Sequence, residues 1–173
     1  MSDPAGRQLQ ISPMTLGDLD TVLDIEAVSS PRPWTRGVFT NELADPATRH
    51  YTVARLGRCA EVVGFCGIQH MLAEAHVVNI AVLPDRRRHR IGARLLLDGV
   101  RTAICRGAVS LTLEVRASNT GAQRLYHRFG LMPTGVRPRY YEGVEDAVIM
   151  WVHDLGHPDV ALRLNRLEME LAR

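Results

Sequence analysis

Residues 77–97, VVNIAVLPDRRRHRIGARLLL, place an apolar run, a Pro84-Asp85 turn, an arginine cluster and Gly92 ahead of a second apolar run. This order of residue types suits an anion. Backbone N–H groups at a helix start have no intrahelical partner, and the helix dipole adds partial positive charge, so phosphate oxygens bind well there. Arginines just before the helix add charge-assisted, bidentate bonds, and Gly92, lacking a Cβ, lets a ligand approach the backbone. Two familiar phosphate loops are excluded. No GxGxxG string occurs, and the Gly-Lys-Ser/Thr of the P-loop cannot, because all 21 basic residues are arginines. The alternative for the cluster is a solvated arginine face on an ordinary helix.

The elements that must hold this segment follow from periodicity. A strand over 77–83, a helix over 91–106 and a strand over 111–115 form a βαβ unit, which makes the two strands parallel neighbours. Upstream, 9–14 reads as a strand and 18–28 as a helix with Leu19, Val22, Leu23 and Ile25 at helical spacing. A breaker-rich loop from Ser29 to Trp34 precedes a short helix capped by Thr35. Residues 50–56, 62–72 and 76–83 form a three-stranded meander, 119–129 a helix opened by Asn119, and 131–141 and 147–155 two final strands. The expected class is α/β or α+β with a mixed sheet. After His157-Pro158, a tail capped by Asp159 carries Val160, Leu164, Leu167 and Leu171 on one helical face, which either packs back on the domain or makes a dimer contact.

Composition bounds the function classes. With 173 residues, 46% hydrophobic and 23% charged, one folded domain with a substantial core is expected. A formal net charge of +2 is too small to imply nucleic-acid binding. Cys59, Cys66 and Cys105 are an odd number without CxxC spacing, which suggests a reducing compartment and thiols packed as small hydrophobes, Cys105 on the interior of its helix. The MSDPAGRQ start lacks a hydrophobic signal core and no apolar run nears the roughly 20 residues that span a bilayer, so a cytoplasmic protein without membrane partners is expected. His70 and His76 face one another across a hairpin in this reading, but two histidines without further ligand spacing do not make a metal site, and none is expected.

Residues 79–96, LEVRASNTGAQRLYHRFGL over 113–131 and GVRPRYYEGVEDAVIM over 135–150 together resemble the GNAT superfamily of N-acetyltransferases, specifically the branch that acetylates the N-terminal alanine of a ribosomal protein. The likeness spans about residues 8–155, leaving 156–173 as a helical extension. It implies the GNAT fold: a mixed, mostly antiparallel sheet of about seven strands with a central parallel pair, four flanking helices and here an extra C-terminal helix. It also implies acetyl-coenzyme A as cosubstrate. Arg87, Arg88, His89, Arg90, Ile91, Gly92, Ala93 and Arg94 would hold the pyrophosphate, and the backbone of Ile80, Ala81 and Val82 would pair with the pantetheine arm. Asn119 and Tyr126 would lie on the cofactor's other side. Arg90 stands where the family pattern has its first glycine. A side chain there is accommodated at negative φ, whereas positive φ forces the turn to shift.

An amine attacks a thioester only when neutral. From reference pKa values, roughly one α-amine in ten is neutral at pH 7 against fewer than about one lysine in a thousand, a difference of about 3 to 4 kcal/mol. An N-terminal acceptor therefore asks less of the enzyme, while lysine or a small amine is the alternative acceptor. The resemblance assigns Glu114 as general base, directly or through water, and Tyr126 as the acid that protonates the leaving thiolate. Their structural alternatives are an ion pair of Glu114 with Arg116 and a core-capping role for Tyr126. Trp34, Tyr140 and Tyr141 are implied walls of the acceptor groove, or simply packed, and Glu142, Glu145 and Asp146 either attract a basic peptide or are solvated. The partner expected is a ribosomal-protein N-terminus, the protein being a monomer or homodimer without direct nucleic-acid binding. A noncatalytic RNA-binding domain built on Arg86–Arg90 is the nonenzyme alternative.

Overall fold

The computed structural model describes residues 9–173. The start read for a signal core, residues 1–8, lies outside the described residues. Twelve main elements follow one another: β1 (Leu9–Pro13), α1 (Leu19–Ser29), α2 (Arg36–Leu43), β2 (Arg49–Leu56), β3 (Glu61–Met71), β4 (Glu74–Val82), α3 (Ile91–Cys105), β5 (Ser110–Arg116), α4 (Thr120–Arg128), β6 (Met132–Tyr141), β7 (Glu145–Val152) and α5 (Pro158–Leu171). The strands form a seven-stranded sheet in the order β1-β2-β3-β4-β5-β7-β6, mostly antiparallel with a parallel β4–β5 pair, as expected for the GNAT fold. Two compact units divide the chain: one runs to Ile68 and includes Asn79–Gly99, the other comprises Gln69–Val78 and Val100–Arg173.

In the first unit, β1 pairs antiparallel with β2 from Leu9↔Leu56 to Pro13↔Thr52. The chain then turns at Thr15, whose N–H and hydroxyl both bond to Asp18 Oδ2, at 2.8 and 3.0 Å. Arg55 of β2 donates to the same carboxylate at 2.9 Å and to Ser12 Oγ at 2.9 Å, so one polar knot fixes the entry to α1. Burial pushes the Asp18 carboxyl up, but the Thr15 N–H and Arg55 outweigh it and hold it below the usual carboxylate range. Leu19, Val22 and Ile25 then bury the inner stripe of α1. Thr35 caps α2 as expected, its oxygen accepting from Val38 N–H at 3.4 Å. Phe39 is fully buried against Trp34, Tyr51 and Phe65, with ring centroids 5.4, 6.5 and 5.5 Å away. Gly67 is required there because a Cβ would overlap the Tyr51 ring.

In the second unit, β5 pairs antiparallel with β7 from Leu111↔Val152 to Arg116↔Ala147, and β6 lies on the other side of β7 with irregular register near Pro133 and Arg137. The side-chain oxygen of Asn119 accepts from Ala122 N–H at 3.1 Å, so the expected cap opens α4. Gly130 ends it at φ 91°, a left-handed conformation suited to glycine, and the guanidinium of Arg163 occupies the space a Cβ would need. The tail helix packs within this unit: Val160, Leu164, Leu167 and Leu171 are buried, and Arg101–Glu168 and Arg128–Glu170 pairs, 2.6 and 2.7 Å, clasp its outer side. Its cap is His157 rather than Asp159. Pro158 is favoured at the first helical position, where its missing N–H is not needed, which leaves the preceding residue as cap, and His157 Nδ1 accepts from Asp159 N–H at 3.2 Å.

The thiols correct a further expectation. Cys66 is buried and its thiol is pushed up by that burial, but Cys59 is exposed and Cys105, the last residue of α3, is also exposed rather than interior. Among the described residues, no helix is long and apolar enough to cross a membrane.

Candidate active site

The arginine segment belongs to the first unit. Leu83 N–H bonds to Val63 O at 3.0 Å, and a 3-10 turn over Pro84–Arg86 follows. Arg88 and Arg90 then take φ values of 66° and 63°, with His89 between them outside the left-handed region. Left-handed residues alternating with ordinary ones curl successive N–H groups into a concave, anion-binding nest. The first hydrogen bond of α3, Arg94 N–H to Arg90 O at 3.1 Å, lies immediately beyond, so the helix's open first-turn donors continue that concavity. His89 locks the turn by donating from Nδ1 to Arg87 O at 2.9 Å. Arg87 Nε donates to Val82 O at 3.1 Å, tying the turn to the end of β4. Arg90 therefore adopts the left-handed conformation with its side chain present. The chain carries a cost of about 1 to 2 kcal/mol for a non-glycine residue there.

Ile80, Ala81 and Val82 form the last residues of β4, with Ala81 buried. Just before them, Asn79 Nδ2 donates to Glu26 Oε2 at 3.2 Å, while Trp34 N–H donates to Glu26 Oε1 at 3.2 Å. Glu26 is 2% exposed. A buried carboxylate thus joins the loop carrying Trp34 to the start of this strand end, a residue the sequence reading missed. Its signal was legible: Glu26 follows Leu19 and Val22 at the 3-4 spacing of the apolar stripe, where a carboxylate is out of place.

The second unit holds the carboxylate assigned as base. The parallel ladder runs Glu74↔Ser110, Ala75↔Leu111 and His76↔Thr112, and Glu114 lies two residues further along β5, on the same face as Thr112. Its side chain is 12% exposed; Oε2 lies 2.8 Å from His76 Nε2 and Oε1 3.2 Å from Arg137 Nη2. The expected alternative, a pair with Arg116, does not form. Arg116 instead bonds to Glu142 at 2.7 and 2.8 Å and to Glu145 at 3.0 Å, with its guanidinium 4.2 Å over the Tyr141 ring. Those carboxylates raise its pKa further, and Glu145 also accepts from Ser118 N–H at 3.0 Å. Asp146 accepts from Arg139 N–H at 2.8 Å. The three acidic residues therefore all bond within the β6–β7 hairpin and to its neighbours, Glu142 and Glu145 half-buried and Asp146 exposed. His76 lies against Glu114, and no group of three or more His, Cys, Asp or Glu that could hold a metal ion occurs among the described residues.

Tyr140 and Tyr141 meet edge to face at 5.1 Å, Tyr140 being 50% exposed and lying near Arg137. Burial pushes the Tyr141 phenol up to about 12 against the lowering effect of Arg116. Tyr126 is 5% exposed, on the buried side of α4. Asn119, one position before that helix, spends its amide oxygen on the cap.

Known proteins share this sequence and fold. Residues 19–131 match the acetyltransferase (GNAT) family model, and acetyl-coenzyme A is the cosubstrate of that family. The [ribosomal protein bS18]-alanine N-acetyltransferase of Escherichia coli strain K12 is 34% identical over 81% of this chain and 94% of its own length. A Bacillus subtilis strain 168 relative, provisionally given the same name, is 41% identical over 80% of this chain and 91% of its own. The crystal structure of the Escherichia coli ribosomal-protein alanine N-acetyltransferase superposes with a TM-score of 0.75 at 32% identity, covering 85% of this chain and 94% of that one. With its family match, its relatives and its sheet in accord, the chain belongs to the acetyltransferase (GNAT) family.

Proposed function

We propose that this acetyltransferase moves the acetyl group of acetyl-coenzyme A directly onto the N-terminal α-amine of an alanine-starting ribosomal protein, the acceptor named for its relatives, in the cytoplasm. The observation that carries the reading is Glu114, a nearly buried carboxylate held from both oxygens at the end of the short parallel ladder. In this reading residues 8–155 are the acetyltransferase domain and 156–173 its extension. Arg87 to Arg94 receive the pyrophosphate, supported by the nest at Arg88 and Arg90, while Ile80, Ala81 and Val82 offer backbone groups to the pantetheine arm. Asn119 and Tyr126 line the donor from α4, and Trp34, Tyr140 and Tyr141 contact the acceptor.

The amine nitrogen forms a bond to the thioester carbonyl carbon as its proton passes to the basic site at Glu114. The carbon–sulfur bond breaks, and the thiolate takes the Tyr126 proton. The α-amine is favoured over lysine because more of it is neutral at pH 7. Mass spectrometry of peptides with an alanine α-amine and an internal lysine, incubated with acetyl-coenzyme A, should find acetyl at the terminus. Modification confined to lysine side chains would reject this acceptor.

A further inference from the structure

A carboxylate set into an apolar stripe is costly to bury unless its oxygens are satisfied, and Glu26 is buried on the inner side of α1. Among the described residues no basic side chain pairs with it. Its oxygens accept from neutral donors, Oε1 from Trp34 N–H and Oε2 from Asn79 Nδ2, each at 3.2 Å. A leucine would fill the same volume but accept from neither donor. The position therefore uses the two acceptor oxygens, one for each of two elements.

The chain between α1 and α2 makes this residue decisive. Residues 30–34 read Ser-Pro-Arg-Pro-Trp, and a proline has no N–H, so Ser30, Arg32 and Trp34 hold the segment's only backbone donors. Ser30 N–H bonds to Glu26 O at 2.9 Å, Arg32 N–H turns back to Ser30 Oγ at 3.3 Å, and Trp34 N–H bonds to Glu26 Oε1. Both backbone donors that bond outside the segment end on Glu26. Asn79, which holds the other carboxylate oxygen, belongs to a strand fixed within the sheet. The strand is thus the anchor and the segment is the part held.

We propose that Glu26 is a positioning residue of the reaction: by mooring the Trp34 amide to Asn79 it fixes the place of Trp34 and so sets the affinity for the acceptor. The inference rests on the reading in which Trp34 contacts the acceptor, and names the residue that places it. The indole also meets Phe39, with centroids 5.4 Å apart, but an apolar contact is non-directional and tolerates sliding. A hydrogen bond to the Trp34 N–H fixes the backbone from which the indole projects. No bond is made or broken at Glu26, so its loss acts on acceptor binding and not on turnover.

Glu26→Leu removes both acceptors. With acetyl-coenzyme A and an alanine-starting peptide, its peptide KM should rise about ten- to a hundredfold while kcat at saturation stays within about twofold. The acetyl-coenzyme A dissociation constant should not change, because the sheet still holds β4. Glu26→Gln should restore the peptide KM: its amide oxygen accepts from Trp34 N–H, and its NH2 donates to the Asn79 amide turned to present its oxygen. Asn79→Ala removes only the mooring and should raise the peptide KM in the same direction, which keeps the test open if Glu26→Leu fails to fold. The chain has two tryptophans, so in a Trp151→Phe background the emission of Trp34 alone reports on the segment. Acrylamide should quench it more in Glu26→Leu and Asn79→Ala than in Glu26→Gln or the background protein. The proposal falls if Glu26→Leu leaves the peptide KM unchanged, lowers kcat and donor affinity together, or is matched in impairment by Glu26→Gln. Quenching tells which reading is at fault. Unchanged quenching means that Glu26 does not place Trp34. Increased quenching beside an unchanged peptide KM means that Trp34 does not contact the acceptor, and that earlier reading falls with the proposal.

Discussion

The arginine turn between β4 and α3 and the Glu114 cluster on β5 use opposite means to handle charge. In the turn, the backbone would be the working part of the proposed donor site: two left-handed residues and an open helix start present N–H groups, while the side chains of Arg87 and His89 brace carbonyls. In the cluster, the backbone is ordinary strand and the side chains carry the charge, with His76 and Arg137 brought to Glu114 from two other strands. A site made of backbone N–H groups does not depend on the side chains it displays, and Arg90 stands at its left-handed position at a cost in strain. A side-chain site does not, because a change of one atom type removes a donor or an acceptor.

Substitutions can separate the two. Glu114→Gln should have the largest effect, lowering kcat about 10²–10⁴-fold while calorimetry finds acetyl-coenzyme A affinity nearly unchanged. A joint collapse of rate and donor affinity would erase the distinction. Arg87→Ala removes a guanidinium beside the nest and its bond to Val82 O, and should weaken donor binding about tenfold with kcat at saturating donor preserved.

The units also differ in pH response. Asp18, held below the usual carboxylate range, adds stability above about pH 4 that is lost as pH falls through its folded value. Asp18→Asn should therefore cost about 1–3 kcal/mol near neutrality, in urea melts, and progressively less in acid. Tyr141 acts at the other end. Its phenol, raised from about 10 to about 12, contributes stability below about pH 10 that fades as pH rises to about 12, so Tyr141→Phe should flatten the alkaline fall. The smallest change is expected for Arg90→Gly. Relief of the left-handed strain, less the entropy glycine adds to the unfolded chain, should stabilise the protein by about 0.5–1 kcal/mol with donor binding retained; a destabilised variant would mean the Arg90 side chain has partners that outweigh the strain.

Particular residues show why some features were legible in the chain and others were not. The caps at Thr35 and Asn119 and the apolar face of α5 depend on neighbours within a few positions, and they appear as read. The cap of α5 was displaced by two residues because a proline's preference competes with an aspartate's. Cys105 was misplaced because periodicity gives a helix face without saying where cover over that face ends. Arg116 is two residues from Glu114 on the same strand face, yet it turns to Glu142 and Glu145, because the hairpin brings two carboxylates to it in good geometry. The approach of His76 to Glu114 was not legible, since no local rule gives the register of parallel strands separated by a helix.

By itself, then, the sequence determined what is short-range: element types, helix starts, and a turn whose proline, arginines and glycine prescribe backbone N–H groups for an anion. The tertiary structure alone decided the partners of Glu114, the burial of Glu26 and the direction taken by Arg116. Those are contacts across strands and helices tens of residues apart, set by register and by which donor reaches a buried oxygen first, quantities that no local spacing contains.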